Sequence, residues 1–217
     1  MKKVLVIITV YNDRHNILYA ITSVLNQTYK NWTLVIVDDA STDGTSELLS
    51  GLNIPNVIIL PNTVNKGTYG CLNDALLLDI SWDYFTKLDA DDYMTPDRLE
   101  RQLKPLEGKW PIYCSRCRYY REHIYTGIRE PAKYGDSMVM FSRAAFLRLG
   151  LFYKDRSGSD TDYMERFRAY IGMEYMVEVP RVLYQAIFKG KGHNSQSNKL
   201  SSSKRLQIIK KRYERRA

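Results

Sequence analysis

Asp89-Ala90-Asp91-Asp92 places three carboxylates within four residues, directly after the hydrophobic stretch Tyr84–Leu88. Like charges at that spacing repel and raise one another's pKa unless a cation lies among them. Oxygen-only ligands suit Mg²⁺ or Mn²⁺ better than Zn²⁺, and such ions commonly carry phosphates. The chemistry this points to is the handling of a nucleoside diphosphate. The competing explanation is an acidic turn that caps a helix opened by Pro96.

The elements that must position these carboxylates are legible from apolar runs. Val4–Thr9, Trp32–Val37, Val57–Leu60 and Tyr84–Leu88 read as buried strands. Between them, Asn16–Leu25 and Tyr69–Leu78 read as helices, and Ser41–Thr45 is a turn leading into a helix with Leu48 and Leu49. A further helix runs from Pro96 through Leu103. Strands alternating with helices predict βαβ units and a mostly parallel sheet, in which ligands bind beyond the carboxyl ends of the strands. Thr9–Asn12, Asp38-Asp39 and Asp89–Asp91 then share one edge, which argues against a mere acidic turn. In the second half, Pro111–Arg121 and Asp136–Phe141 have strand character. Arg143–Leu149, ending at Gly150, and Asp160–Tyr170 are predicted helices, and Glu174–Val179 and Arg181–Ile187 two more strands. Gly190–Ser197 is a polar loop. The expected organisation is one α/β domain over 1–198, with a nucleotide-binding half (1–110) and an acceptor-binding half (111–198), followed by a basic tail over 199–217.

Composition narrows the class. No apolar run approaches the ~18 residues of a membrane span, and the short apolar start lacks a small-residue cleavage site, so the expectation is a cytoplasmic chain. Three cysteines, Cys71, Cys114 and Cys117, make a disulfide framework improbable, and the lone Cys114-Ser-Arg-Cys117 is a poor zinc candidate. The net charge is +8, but Lys199–Ala217 holds eight Lys or Arg against one acid, Glu214, so +7 of it lies in the tail. A nearly neutral body disfavours nucleic acid as a partner of the catalytic part. The tail reads as a helix capped at Ser201–Ser203, with Leu206, Ile209 and Tyr213 on one face. It suits peripheral docking to an anionic membrane. Contact with nucleic-acid phosphates, a solvated face packed on the body, and a linker to a further domain remain as alternatives.

No G-x-G-x-x-G follows the first strand and no G-x-x-x-x-G-K-[ST] occurs, which disfavours a dinucleotide-binding dehydrogenase and a P-loop NTPase. What does occur, in order, is Thr9-Val-Tyr-Asn12, Val-Asp-Asp-Ala-Ser-Thr-Asp-Gly-Thr over 37–45, and Asn65-Lys-Gly67 with Asn73. Leu88-Asp-Ala-Asp-Asp92, Leu149-Gly-Leu-Phe152 with Gly158-Ser-Asp160, and His193 with Ser195 and Ser197 complete the set. Over about residues 3–197 it resembles the family 2 glycosyltransferases with the GT-A fold, a single Rossmann-like domain with a central, mostly parallel mixed sheet flanked by helices. The resemblance implies a metal-dependent, inverting transfer of one sugar from a nucleotide-sugar, UDP-sugar favoured, to a hydroxyl acceptor on a glycan, glycolipid or glycoprotein. It implies that Thr9, Tyr11 and Asp39 border the uracil and ribose and that Lys66 lies near the nucleotide. Asp91 would bind Mn²⁺ or Mg²⁺ directly, Asp89 through water or the ribose, and His193 would complete the metal site. Asp92 would support the site or cap the next helix. Asp160 would be the catalytic base, with Asp162 the fallback because Ser159 stands where the family usually has glutamate. A sugar-phosphate nucleotidyltransferase and a non-catalytic basic module that binds nucleic acid or membrane are the rival functions. The first would want a Gly-rich basic loop where Tyr11-Asn-Asp-Arg14 stands.

Overall fold

In the computed structural model, which describes residues 1–107, 113–123, 126–154 and 158–188, the chain forms one mixed eight-stranded sheet with helices on both faces. The strands are β1 (Val4–Val10), β2 (Trp32–Asp38), β3 (Val57–Pro61), β4 (Tyr84–Asp89), β5 (Tyr93–Met94), β6 (Cys114–His123), β7 (Lys133–Ser142) and β8 (Met176–Phe188). Their spatial order is β3-β2-β1-β4-β7-β6-β8-β5. The first four run parallel, β7 is antiparallel to β4, and β6 is antiparallel to β7 and parallel to β8. The carboxyl ends of β1, β2, β3, β4, β6 and β8 therefore all point to one edge. The register confirms the expected clustering there: Thr9 lies opposite Asp89, and Val10 opposite Asp38.

Alternation along the strands builds two cores. Val4, Val6, Ile8 and Val10 face one side, with α1 (Ile17–Leu25), α2 (Thr45–Ser50) and α4 (Arg98–Leu103). Leu5 and Ile7 face the other, with α3 (Thr68–Leu76), α5 (Arg143–Leu149) and α6 (Ser159–Tyr170). Strands buried on both faces read as continuous apolar runs, which is why the first half of the chain is so legible.

Three elements depart from expectation. Glu174–Val179 and Arg181–Ile187 belong largely to one long strand, β8, because a bulge accommodates Pro180: Cys117 pairs with Val179, and the next residue, Arg118, with Val182. A proline has no N–H for the ladder, and a bulge lets the strand continue past it. The two-residue β5 is too short for any periodicity to announce. The helix expected from Pro96 begins at Arg98, with Asp97 as its N-cap residue.

One side chain joins the two halves. Asn73 on α3 donates to the Phe152 carbonyl at 2.8 Å and accepts from the Phe152 N–H at 2.9 Å. Both partners are buried, so two motifs that stand far apart in the sequence, one ending in Asn73 and the other in Phe152, are joined by a two-bond staple. Asn73→Ala orphans a buried donor and acceptor together, and we expect it to lower stability by about 2–4 kcal/mol in urea unfolding; a loss under ~1 kcal/mol would show the staple to be dispensable.

Candidate active site

The turn after β2 is built by carboxylates. Asp38 is 1% exposed and accepts from the N–H and hydroxyl of Ser41 and from the Ser46 hydroxyl. Asp39 accepts from the N–H of Lys66 at 2.7 Å and of Gly67 at 2.8 Å. Gly67 has φ +75° at the start of α3, a backbone conformation that a side chain would strain. Ala40 adopts φ +63°, unusual for a residue with a Cβ, and turns the chain sharply behind Asp39. Asp39 thus organises the Asn65-Lys66-Gly67 loop, a task its position in the sequence did not announce. The Asp39 N–H donates to the Val10 carbonyl at 2.8 Å, which ties this turn to the loop carrying Tyr11. Tyr11 is 46% exposed, with its ring open to a ligand. The Lys66 ammonium turns away and meets Asp74 on α3 at 2.6 Å.

The acidic segment after β4 does not converge on one point. Asp89 meets the Lys87 ammonium at 2.8 Å. Asp92 is buried, accepting from the Tyr184 hydroxyl at 2.7 Å and from the Ile187 N–H at 2.7 Å. Burial, and then the charges of Asp89 and Asp91, push the Asp92 carboxyl well above the usual range. Tyr184 also accepts from the Asp89 N–H at 3.2 Å, and its ring carries the guanidinium of the fully buried Arg98 at 5.0 Å. Asp92 is thereby a tie between the acidic loop and the end of β8, and the helix-capping alternative falls away. Asp91 is partly exposed at the same edge.

Asp160 lies in the first turn of α6 and reaches the same edge from the second half. It accepts from the Tyr69 hydroxyl at 3.1 Å, the Ser137 hydroxyl at 2.9 Å and the Thr161 N–H at 3.0 Å. Burial pushes its carboxyl up, but the Lys87 charge and these hydrogen bonds outweigh that and hold it below the usual range. Lys87 is itself mostly buried. Burial pulls its ammonium down, while Asp89 and Asp160 together hold it above the ordinary lysine range. A cavity beside Asp160 is lined by Lys87, Phe85, Ser137, Phe152 and Tyr163, with Asp136 at its side. Burial, then the Asp160 charge, raises the Asp136 carboxyl, which keeps Arg116 at 3.6 Å.

Asp162 is 1% exposed and accepts from Arg166 at 3.1 Å, and Arg166 binds the carbonyls of Leu149 and Leu151. That carboxylate anchors the loop before α6, so Asp160 alone of the pair faces the cleft. Ser159 is buried and donates to the Tyr153 carbonyl at 2.8 Å, fastening the same loop. His193, Ser195, Ser197 and the basic tail lie outside the described residues. Cys114 and Cys117 are free and buried on β6.

Among the described residues, no group of three or more His, Cys, Asp or Glu side chains is arranged to hold a metal by itself. Asp89 and Asp91 nonetheless suit a hard cation whose remaining ligands come from phosphates and water, the usual arrangement for Mg²⁺. Lys87 was missed in the sequence although it stands two residues before Asp89 on one strand, hence on the same face. Tyr69, Ser137 and Tyr184 carried no local signal, because each meets its carboxylate only through the fold.

A profile of the family described as Glycosyl transferase family 2 matches residues 5–161. The chain belongs to that family. It is 32% identical over 130 residues to the UDP-Glc:alpha-D-GlcNAc-diphosphoundecaprenol beta-1,3-glucosyltransferase WfaP of Escherichia coli, covering 59% of this chain and 51% of that protein. The chain spans about half the length of such curated relatives. In structure it resembles residues 1–349 of S. aureus TarS in complex with UDP-GlcNAc, with a TM-score of 0.76, 18% identity, and coverage of 95% of this chain and 65% of that one. It also resembles the mannosyltransferase PcManGT of Pyrobaculum calidifontis in complex with GDP-Man and Mn²⁺, with a TM-score of 0.68, 20% identity, and coverage of 89% and 58%. The fold is GT-A, as expected.

Replacing Lys87 by Met removes the cation nearest Asp160, and a carboxyl that loses a neighbouring positive charge titrates higher. In the native protein the acid limb of the kcat/KM profile is expected below the ordinary carboxylate range. In Lys87→Met it should move to higher pH, whereas an unmoved limb would show that Lys87 does not set the state of Asp160.

Proposed function

We propose that this chain transfers a single sugar, with inversion, from a nucleoside diphosphate sugar to the hydroxyl of a glycan or lipid-linked acceptor. The observation that carries this reading is Asp160, ionised and oriented by three donors, one lysine away from Asp89 at the shared edge. Thr9, Tyr11 and the remaining lone pairs of Asp39 border the base and ribose, with the Lys66 backbone behind them. Asp91 and Asp89 would hold Mn²⁺ or Mg²⁺ beside the diphosphate, and His193, outside the described residues, would be a further ligand. When bound, that ion supplies positive charge for the departing nucleoside diphosphate. Asp160 takes the proton of the acceptor hydroxyl as its oxygen bonds to the anomeric carbon and the bond to the diphosphate oxygen breaks. A single in-line displacement inverts the anomeric centre.

The donor classes named for the relatives, UDP-glucose, UDP-GlcNAc and GDP-mannose, support a nucleotide-sugar and favour UDP. The diphosphoundecaprenol acceptor named for the Escherichia coli relative supports a lipid-linked acceptor met at the cytoplasmic membrane surface, where the basic tail would dock. No helix among the described residues is long and apolar enough to cross a membrane.

With a panel of UDP-, GDP- and dTDP-sugars and Mn²⁺, nucleoside diphosphate should be released from one donor class, and EDTA should abolish the release. Asp160→Asn should lower turnover by about 10²–10⁴-fold with nucleotide affinity nearly unchanged. Absence of both release and metal-dependent nucleotide binding would refute the reading.

A further inference from the structure

The two faces of the sheet are covered unequally. On the face that carries Lys87 and Asp160, α3 packs on β1 and β2, and α5 and α6 pack on β7. The helices that pack on the distal strands belong to the opposite layer: α4 on β6 and β8, and α1 on β5. Tyr119 pairs with Tyr184, and both enter the core of that opposite layer. Their neighbours Tyr120 and Gln185, which also pair, therefore point to the Asp160 side, as does Tyr93, the partner of Gln185 on β5.

These residues are joined to one another. The Gln185 amide donates to the Tyr93 hydroxyl at 2.8 Å and to Glu122 at 2.5 Å, and its carbonyl accepts from the Tyr120 hydroxyl. Arg129 donates to Glu122 at 3.2 Å and covers one side of the Tyr120 ring at 4.7 Å. All but Arg129 are partly buried, and Arg129 is exposed. The result is a hydrogen-bonded polar and aromatic floor at the carboxyl edge of the sheet. By strand spacing and rise it lies on the order of 10 Å from Ser137, the partner of Asp160.

Resting on the glycosyl-transfer reading, we propose that this floor, built by Tyr93, Tyr120, Glu122 and Gln185, is the acceptor subsite and takes an uncharged, hydroxyl-rich sugar ring. Tyrosine rings offer flat surfaces to the C–H face of a pyranose. An amide and a carboxylate at fixed positions pair with ring hydroxyls, the few convergent polar groups that such sites use. Charge decides against an anionic acceptor ring. Among the described residues, the cations around the floor already have acceptors: Arg129 on Glu122, Arg121 and Lys133 on Glu130, Arg116 on Asp136 and Glu178, and Arg118 on the Ala132 carbonyl. A phosphate or carboxylate on the bound ring would have to displace one of these partners, whereas neutral hydroxyls need not. The floor thus serves the acceptor ring near the base, and any lipid-borne phosphates lie farther along the acceptor.

The test is saturation-transfer NMR on the full chain with UDP and Mn²⁺, using methyl glycosides of glucose, galactose and N-acetylglucosamine, β-linked disaccharides, glucuronic acid and glucose 1-phosphate. The expected result is saturation of at least one neutral glycoside, weakened by about tenfold or more in affinity in Tyr120→Ala and in Gln185→Leu. Tyr120→Phe, which keeps the ring, should retain part of the binding. UDP affinity by calorimetry should match in all variants, which also reports on their folding. Neutral glycosides that bind the variants as they bind the native chain overturn the proposal, as do binding of charged sugars alone and silence from the whole panel while UDP binds. Failure of UDP itself to bind would instead count against the glycosyl-transfer reading.

Discussion

Four carboxylates, Asp89, Asp91, Asp136 and Asp160, gather at one edge of the sheet, and the chain must keep them from repelling one another apart. Lys87 is the internal part of the answer. It is mostly buried, bonded to Asp89, and close enough to Asp160 to help hold that carboxyl ionised. Arg116 only partly offsets the burial and the Asp160 charge that raise the Asp136 carboxyl. The compensation is local, and under the proposed function Asp89 and Asp91 would meet a further cation that arrives with a diphosphate. A buried ammonium flanked by acids is stable only while its partners remain, so Asp89 and Asp160 depend on each other through Lys87.

The topology makes this possible. A purely parallel sheet would put Asp160 no nearer to Asp89 than the next crossover allows. Here β7 runs back along β4, so Ser137 comes up beside the end of β4 and receives Asp160 from α6. Asn73 and Tyr69, one turn apart on α3, fix the loop before α6 and the carboxylate on it. On the other side, the Arg98–Tyr184–Asp92 stack fixes the end of β8 against the acidic loop. The cleft is thus clamped from both flanks by side chains that never need to touch a substrate.

Much of this was legible in the sequence. The buried strands of the first half announce themselves as apolar runs, and each ends in its polar residues, so the sequence alone places Thr9, Asp39 and Asp89 at one edge. Asp160 came from the family pattern, and the fold brings it to the same place. What stayed hidden follows from distance along the chain or from competition between rules. Tyr69 reaches Asp160 across 91 positions, which no local spacing can show. Pro180 reads as a break, yet a bulge absorbs it and β8 continues. The three carboxylates of 89–92 read as one cluster, but backbone geometry sends Asp92 inward to Tyr184. Asp162 was the fallback to Asp160 in the sequence, and Arg166 shows what occupies it instead.

In the proposed reaction displacement at the anomeric carbon is direct, with Asp160 as the base and no protein carboxylate bonding to the sugar. The anomeric configuration of the glycosidic product, read from its proton coupling constant by NMR on freshly formed material, tests this most directly. Direct displacement predicts a linkage inverted relative to the donor. A retained linkage would require an intermediate that Asp160 in this role does not provide, and would rule out direct displacement.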